Sequence, residues 1–112
     1  MLPPSSRDVF AAVGDPTRRR VLDLLRRGEL PVRRIAAPFA VTRPAISQHL
    51  RILLRARLVE VRRDGRERYY CLRARPLRQI HDWVGHYEKF WRGKLAALGD
   101  FLDAQDKKGG RR

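Results

Sequence analysis

VTRPAISQHLRILLRAR, residues Val41 to Arg57, decides the fold. Thr42 can cap a helix here, because its hydroxyl can accept an orphan N–H of the first turn. Ile46, Leu50, Leu53 and Leu54 then recur at spacings of four, three and one, a helical stripe that faces a core. At about 100° per residue, Pro44, Ala45, Gln48, Arg51 and Arg55 fall on the opposite side. That side carries a carboxamide that can read a base edge, a small residue and two arginines. A helix of this kind suits a DNA major groove.

Upstream, Pro38 to Val41 reads as a turn. Leu30-Pro31 is expected to open a short helix before it, with Val32, Ile35 and Ala36 apolar. A short helix, a turn of about four residues and the Thr42 helix make a helix-turn-helix, whose second helix enters the groove while the first crosses the backbone. Further back, Asp15-Pro16 is a helix start, Asp as N-cap and Pro at the first helical position. This helix is expected to run to about Arg27, with Val21, Leu22, Leu24 and Leu25 inward, and Gly28 stops it. Arg18, Arg19 and Arg20 read as a solvated face, with phosphate contact as the other reading. Ser5 or Ser6 can cap a first helix bearing Val9, Phe10 and Val13, which Gly14 ends. Residues 1–5 form a loose lead.

Downstream of Arg57 the period changes from helical to alternating. LVEVRR-DG-RERYYCL, Leu58 to Leu72, reads as two strands around an Asp64-Gly65 type I′ turn. A hairpin placed after the recognition helix is a wing. Arg62, Arg63, Arg66 and Arg68 crowd its tip, where they can touch phosphates or enter the minor groove. Charge protection of an edge strand is the competing reading. From Pro76 to about Asp103 one long helix is expected. Leu77, Ile80, Val84, Tyr87, Trp91, Leu95, Leu98 and Leu102 step by three and four, and Trp83, Phe90 and Phe101 widen the stripe. So wide an aromatic band predicts an interface, most simply a two-fold dimer; covering the domain's own core is the alternative. Residues 104–112 lack large apolar side chains and read as a disordered basic tail.

Composition agrees with a polyanion partner. The chain has 112 residues, with 26 Lys and Arg against 12 Asp and Glu, a net charge of +14. Residues 104–112 carry +3 of this, so +11 remains on residues 1–103. The length implies one domain, residues 6–103, with a modest core. Such an excess of positive charge favours nucleic acid. No apolar run is long enough to span a bilayer, and MLPPSSRD has no signal-peptide core, so a cytoplasmic, nucleoid-associated location and no membrane partner are expected. The single cysteine, Cys71, rules out an intrachain disulfide and suits a reducing compartment; near the end of the second strand it reads as a small buried hydrophobe.

The order α-α-α-α-β-β-α and several strings together resemble an ArsR-type winged helix-turn-helix repressor. The strings are Asp15-Pro16-Thr17-Arg18-Arg19-Arg20-Val21-Leu22, Arg43-Pro44-Ala45-Ile46-Ser47-Gln48-His49-Leu50, Leu58-Val59 and Arg66-Glu67-Arg68-Tyr69-Tyr70. The resemblance covers roughly residues 8–102. It implies a homodimer built on the first and last helices, with Val9, Phe10, Val13, Trp83, Tyr87, Phe90, Trp91, Leu95 and Leu98 at the interface. It also implies a double-stranded DNA operator and release on some signal, a small-molecule effector among the options. Metal-sensing members often carry paired cysteines on the third helix after a Glu-Leu start; Glu29-Leu30 here leads to Pro31, Val32 and Arg33, without cysteines. Other members use Asp and His pairs on the last helix, where this chain has His81, Asp82, His86 and Glu88. Zinc wants about four N or S ligands, so a site there needs both subunits, and ordinary surface roles compete. No metal and no other cofactor is expected.

Roles on DNA follow from groove chemistry. Gln48 can pair bidentately with adenine, and Ala45 can approach a thymine methyl. Arg43, Ser47 and Arg51 reach phosphates or a guanine edge, as do the wing's Arg62, Arg63 and Arg66 for phosphates. Thr42 caps the helix and can donate to phosphate. His49 sits at the edge of the apolar stripe, where packing, local hydrogen bonding and base contact are all open. No Gly-rich phosphate loop and no nucleophile–base pairing is present, so an enzyme is not expected. The reading is a sequence-specific repressor. Its alternatives are a metal-responsive repressor using the last helix and a non-specific architectural or RNA-binding protein.

Overall fold

The computed structural model describes residues 6–109, with side chains over residues 7–105. Ser6–Val13 forms α1 and Pro16–Leu25 forms α2. Asp15 caps α2 by accepting the Arg18 amide at 3.0 Å, and Pro16 occupies the first turn. Gly28, at φ 145°, takes the chain out of the helix. Arg43–Arg55 forms α4, with the Thr42 hydroxyl accepting the Ala45 amide at 3.2 Å. α4 ends two residues earlier than the sequence suggested. Leu58 donates to the Leu53 carbonyl and Arg57 to the Leu54 carbonyl, a Schellman closure with Arg57 at φ 61°. Glycine is usual at that position, so its absence hid the stop.

Leu30-Pro31 is not a helical start. These residues form a short strand, β1, ahead of α3 at Val32–Ala36. The residue before a proline is pushed towards extended backbone, and Pro itself suits a sheet edge because it has no N–H to donate. β1 pairs antiparallel with a strand at Glu67–Leu72, β3, Leu30 opposite Tyr70, and β3 pairs with a strand at Val59–Asp64, β2, giving the order β1-β3-β2.

The hairpin consists of β2, Val59–Asp64, and β3, Glu67–Leu72. Asp64 pairs with Glu67, so the loop is Gly65-Arg66 and not Asp64-Gly65. Gly65 has φ 65°, and Arg57 is the one non-glycine residue with positive φ among the described residues. Positive φ at the first central position alone fits a type II′ turn, not type I′. A loop at Asp64-Gly65 would have set Arg63 opposite Arg66; the observed register sets it opposite Arg68.

The core joins Val21, Leu22 and Leu25 of α2, Ile35 of α3, and Ile46, Leu50 and Leu53 of α4 to Leu58, Val59 and Tyr70. Fully burying a side chain such as Leu50 stabilises the fold by roughly 1.5–3 kcal/mol. Of the expected stripe on α4, only Leu54 is partly exposed. The buried side of α4 therefore fixes which side faces outward.

The expected single helix from Pro76 is interrupted. A 3-10 turn at Arg75–Leu77 leads to α5, Arg78–Gly85, and then α6, Glu88–Gly109. Between them His86 and Tyr87 donate to the carbonyls of Trp83 and Val84, and Phe90 in the first turn of α6 donates to that of Tyr87, each three residues back instead of four. α6 continues past Asp103, so the expected tail is helical from 104 to 109; residues 110–112, like the lead at 1–5, lie outside the described residues. The chain divides into two compact units, Met1–Ile80 and His81–Arg112. Within the second, Trp83, Tyr87, Phe90, Trp91, Leu95, Leu98, Phe101 and Leu102 are all exposed, from 45% at Trp91 to 63% at Phe90.

Candidate nucleic-acid interface

The outward side of α4 carries Arg43, Gln48, Arg51 and Arg55, all exposed, with Ala45 and Ser47 half-buried beside them. No carboxylate lies between Thr42 and Val59 in the sequence, so no acid on α4 neutralises these arginines. A guanidinium with no existing partner can meet a phosphate without first breaking an ion pair. Thr42 is exposed and committed to its cap, which orients the helix N-terminus.

His49 behaves differently from its neighbours. Its Nδ1 lies 3.2 Å from Arg18 Nη1 and 3.9 Å from Asp15 Oδ2. It therefore binds within the fold and ties α4 to the start of α2. The Arg18 amide, and then the charges of Arg18 and His49, hold the Asp15 carboxyl below the usual carboxylate range. The Arg18-Arg19-Arg20 run is not a plain solvated face. Arg18 donates to the Ala12 and Ala11 carbonyls at 2.7 and 2.9 Å, and Arg19 donates to the Val13 carbonyl at 2.7 Å. Both satisfy the carbonyl end of α1, which has no basic residue of its own in its last turn. Arg20 lies over the Phe39 ring, 4.5 Å from its centroid. Three cations in a row gave no hint of these separate partners.

The wing sorts its arginines by face. Arg62 shares a face with Glu60, Asp64, Glu67 and Tyr69. It grips Glu29 with two donors, Nε to Oε1 at 3.2 Å and Nη2 to the other oxygen, and lies 4.9 Å from the Tyr69 ring centroid. Arg33 holds Glu67 at 2.8 Å and Arg73 holds Glu60 at 2.7 Å. Their guanidinium partners keep Glu29 and Glu60 below the usual carboxylate range. The opposite face carries Val59, Tyr70 and Leu72 towards the core, then Arg63 and Arg68 side by side near the tip. No acid interrupts that pair, and Arg66 stands in the turn beyond it. Like charges directly opposite repel, so this pair gains by meeting an anion. Of the arginines expected to contact DNA, Arg62 is tied to Glu29, while Arg63 stands beside Arg68 on the other face.

The other expected sites are less coherent. Val9 is fully buried within the chain, which removes it from any surface offered to a partner; Phe10 and Val13 are half-buried. His81 pairs with its neighbour Asp82 at 3.3 Å, and His86 is exposed. Among the described residues no three His, Cys, Asp or Glu side chains converge on one point. Cys71 is half-buried on the Arg62 face of β3 rather than fully buried. No described helix is long and apolar enough to cross a membrane.

The family model for bacterial regulatory proteins of the arsR family matches residues 15–61, from the α2 cap into β2. The transcriptional repressor SdpR of Bacillus subtilis is 40% identical over 77 residues, covering 69% of this chain and 86% of that protein. The regulator Rv2034 of Mycobacterium tuberculosis is 35% identical over 96 residues, covering 86% and 87%. The chain belongs to the arsR family. A crystal structure described as a possible transcriptional regulator for arsenical resistance superposes with TM-score 0.64 at 43% identity, covering 83% of this chain and 94% of that one. This arsR-family protein is thus a DNA-binding transcriptional regulator built on a winged helix-turn-helix, and not an enzyme.

Proposed function

We propose that this arsR-family regulator is a homodimeric repressor of an inverted-repeat operator in the bacterial cytoplasm, released by an unidentified signal. The observation that carries the reading is the sorting of arginines. α4 and the wing tip present Arg43, Arg51, Arg63, Arg66 and Arg68 without acidic partners among the described residues, while Arg33, Arg62 and Arg73 are each matched to a glutamate. Gln48 stands among the unpaired set and supplies base readout. Thr42, Ala45 and Ser47 complete the α4 contacts.

Exposed aromatics on α5 and α6 support the dimer. A solvated face bearing Trp83, Tyr87, Phe90, Trp91, Leu95 and Leu98 has the aromatic enrichment of interface cores. Two copies related by a two-fold axis present two α4 helices to half-sites about one helical turn, ~34 Å, apart. The test is selection of bound sequences from a random DNA pool at near-physiological salt with excess competitor. A short inverted repeat is expected. Recovery of no consensus would replace this reading with non-specific nucleic-acid binding.

A further inference from the structure

A cleft of about 500 Å³ lies between α2 and the turn that precedes α4, and no residue of the wing lines it. Arg20, Asp23, Leu24, Arg26 and Arg27 line one side, and Pro38 and Phe39 the other. Its size falls in the range of small-molecule sites, roughly 300–1,000 Å³. Three arginines against one aspartate make it electropositive, and no ion pair joins them among the described residues. Arg20 spans the cleft to lie over the Phe39 ring, 4.5 Å from the centroid. Leu24 and Phe39 are half-buried, so the floor is apolar while the rim is cationic.

We propose that this cleft binds a small organic anion with a flat apolar body, of the aromatic-carboxylate class. A guanidinium presents parallel donors that match a carboxylate. Leu24, Pro38 and Phe39 give an aromatic body something to cover, which a bare inorganic anion leaves unused. The site also has a mechanical consequence, which rests on the repressor reading. Phe39 lies three residues before the Thr42 cap, and its amide donates to the Ala36 carbonyl at 3.0 Å. An occupant bridging Arg20 and Phe39 therefore bears on the turn that sets where α4 begins.

The experiment is an NMR titration of the isotopically labelled full-length protein at fixed ionic strength. Benzoate and phenylacetate are the probes; inorganic phosphate and benzyl alcohol supply the charge and the ring separately. Saturable shifts of the Leu24 methyls and Phe39 ring are expected with the carboxylates, at about tenfold higher affinity than with either control. Arg20→Gln and Arg27→Gln should each weaken benzoate about tenfold, the loss of one charge-assisted contact. Arg27 is exposed and outside the core, so its variant remains informative if Arg20→Gln fails to fold. The proposal is overturned by the absence of saturable shifts, by phosphate matching benzoate, or by both variants binding as the parent does. It is equally overturned if a DNA fragment shifts these resonances and benzoate does not, since the cleft is then part of the DNA surface. Both variants should keep the selected DNA preference without carboxylate. If the parent itself shows no DNA preference, the repressor reading fails separately.

Discussion

Replacing Arg63 and Arg68 together by Gln tests the charge sorting on the wing. The two residues face each other across β2 and β3, on the face without acids. Each phosphate neutralised contributes about −0.9 to the slope of log affinity against log salt. If both arginines meet phosphates, the double variant should flatten that slope by about two units per wing. Carried from a 1 M reference to 0.15 M salt, two units correspond to a loss of roughly thirtyfold or more per wing. The paired variant Glu29→Gln with Arg62→Gln leaves the net charge unchanged and removes an ion pair already closed within the fold. Its slope should stay within about half a unit of the parent. Fluorescence anisotropy of a labelled operator fragment, between about 0.05 and 0.2 M salt, reads both slopes. Thermal unfolding supplies the control, because separating like charges on opposed strands should not destabilise the hairpin. An unchanged slope for the Arg63 and Arg68 variant refutes the reasoning. So does a loss of about one unit for the Glu29 and Arg62 variant, which would place Arg62 on DNA.

Gln48→Ala should relax specificity at one base pair, costing roughly 1–3 kcal/mol there, as read by competition between operator variants; an equal loss on every sequence would contradict base readout. Trp91→Asp should disperse the dimer, and a dimer surviving in sedimentation removes α6 as its seam. Arg18→Lys replaces three directed contacts, to Ala11, Ala12 and His49, with a point charge. It should lower stability by about 1–2 kcal/mol while leaving the salt slope unchanged. Asp15→Asn keeps a capping oxygen and loses the charge. Because the folded carboxyl titrates below its unfolded value, its contribution is complete above about pH 4 and fades as pH falls through the folded value. The stability gap between parent and variant should therefore close in acid, and a gap unchanged at low pH would remove the charge from the explanation.

Helix positions were legible wherever a local chemical signal marked them. Asp15-Pro16 and Thr42 each announce a start, and each side chain accepts the amide expected of it. Stops were harder, because α4 closes on Arg57 where a glycine would have been visible, and α2 ends at Leu25 ahead of its glycine. Leu30-Pro31 misled because a proline at a helix start and a proline on a sheet edge obey the same φ restriction. What separates them is a partner strand forty residues away, Tyr69 and Tyr70 of β3, and no local pattern reports it. The break at His86 and Tyr87 left no trace in the apolar spacing, since a local tightening to three-residue bonds keeps a three-and-four stripe nearly in step.

The binding surface was legible in α4 and only half legible in the wing, for a reason that bears on basic proteins in general. Charge count identifies the partner class, but it cannot say which cations are available. Of the four arginines at the wing tip, the one-residue shift of the turn decides which share a face. Acids distant in sequence then decide which are already satisfied. Glu29 lies thirty-three residues from Arg62, and Arg33 lies thirty-four from Glu67. The same division explains the Arg18-Arg19-Arg20 run, whose members close the end of α1 and stack on Phe39. A net charge of +14 is therefore a poor guide to the number of phosphates met. Discounting guanidinium groups that have a carboxylate, carbonyl or ring partner among the described residues leaves a smaller set, to which the arginines of α4 and of one wing face belong. The salt slope measures how many of that set meet phosphate.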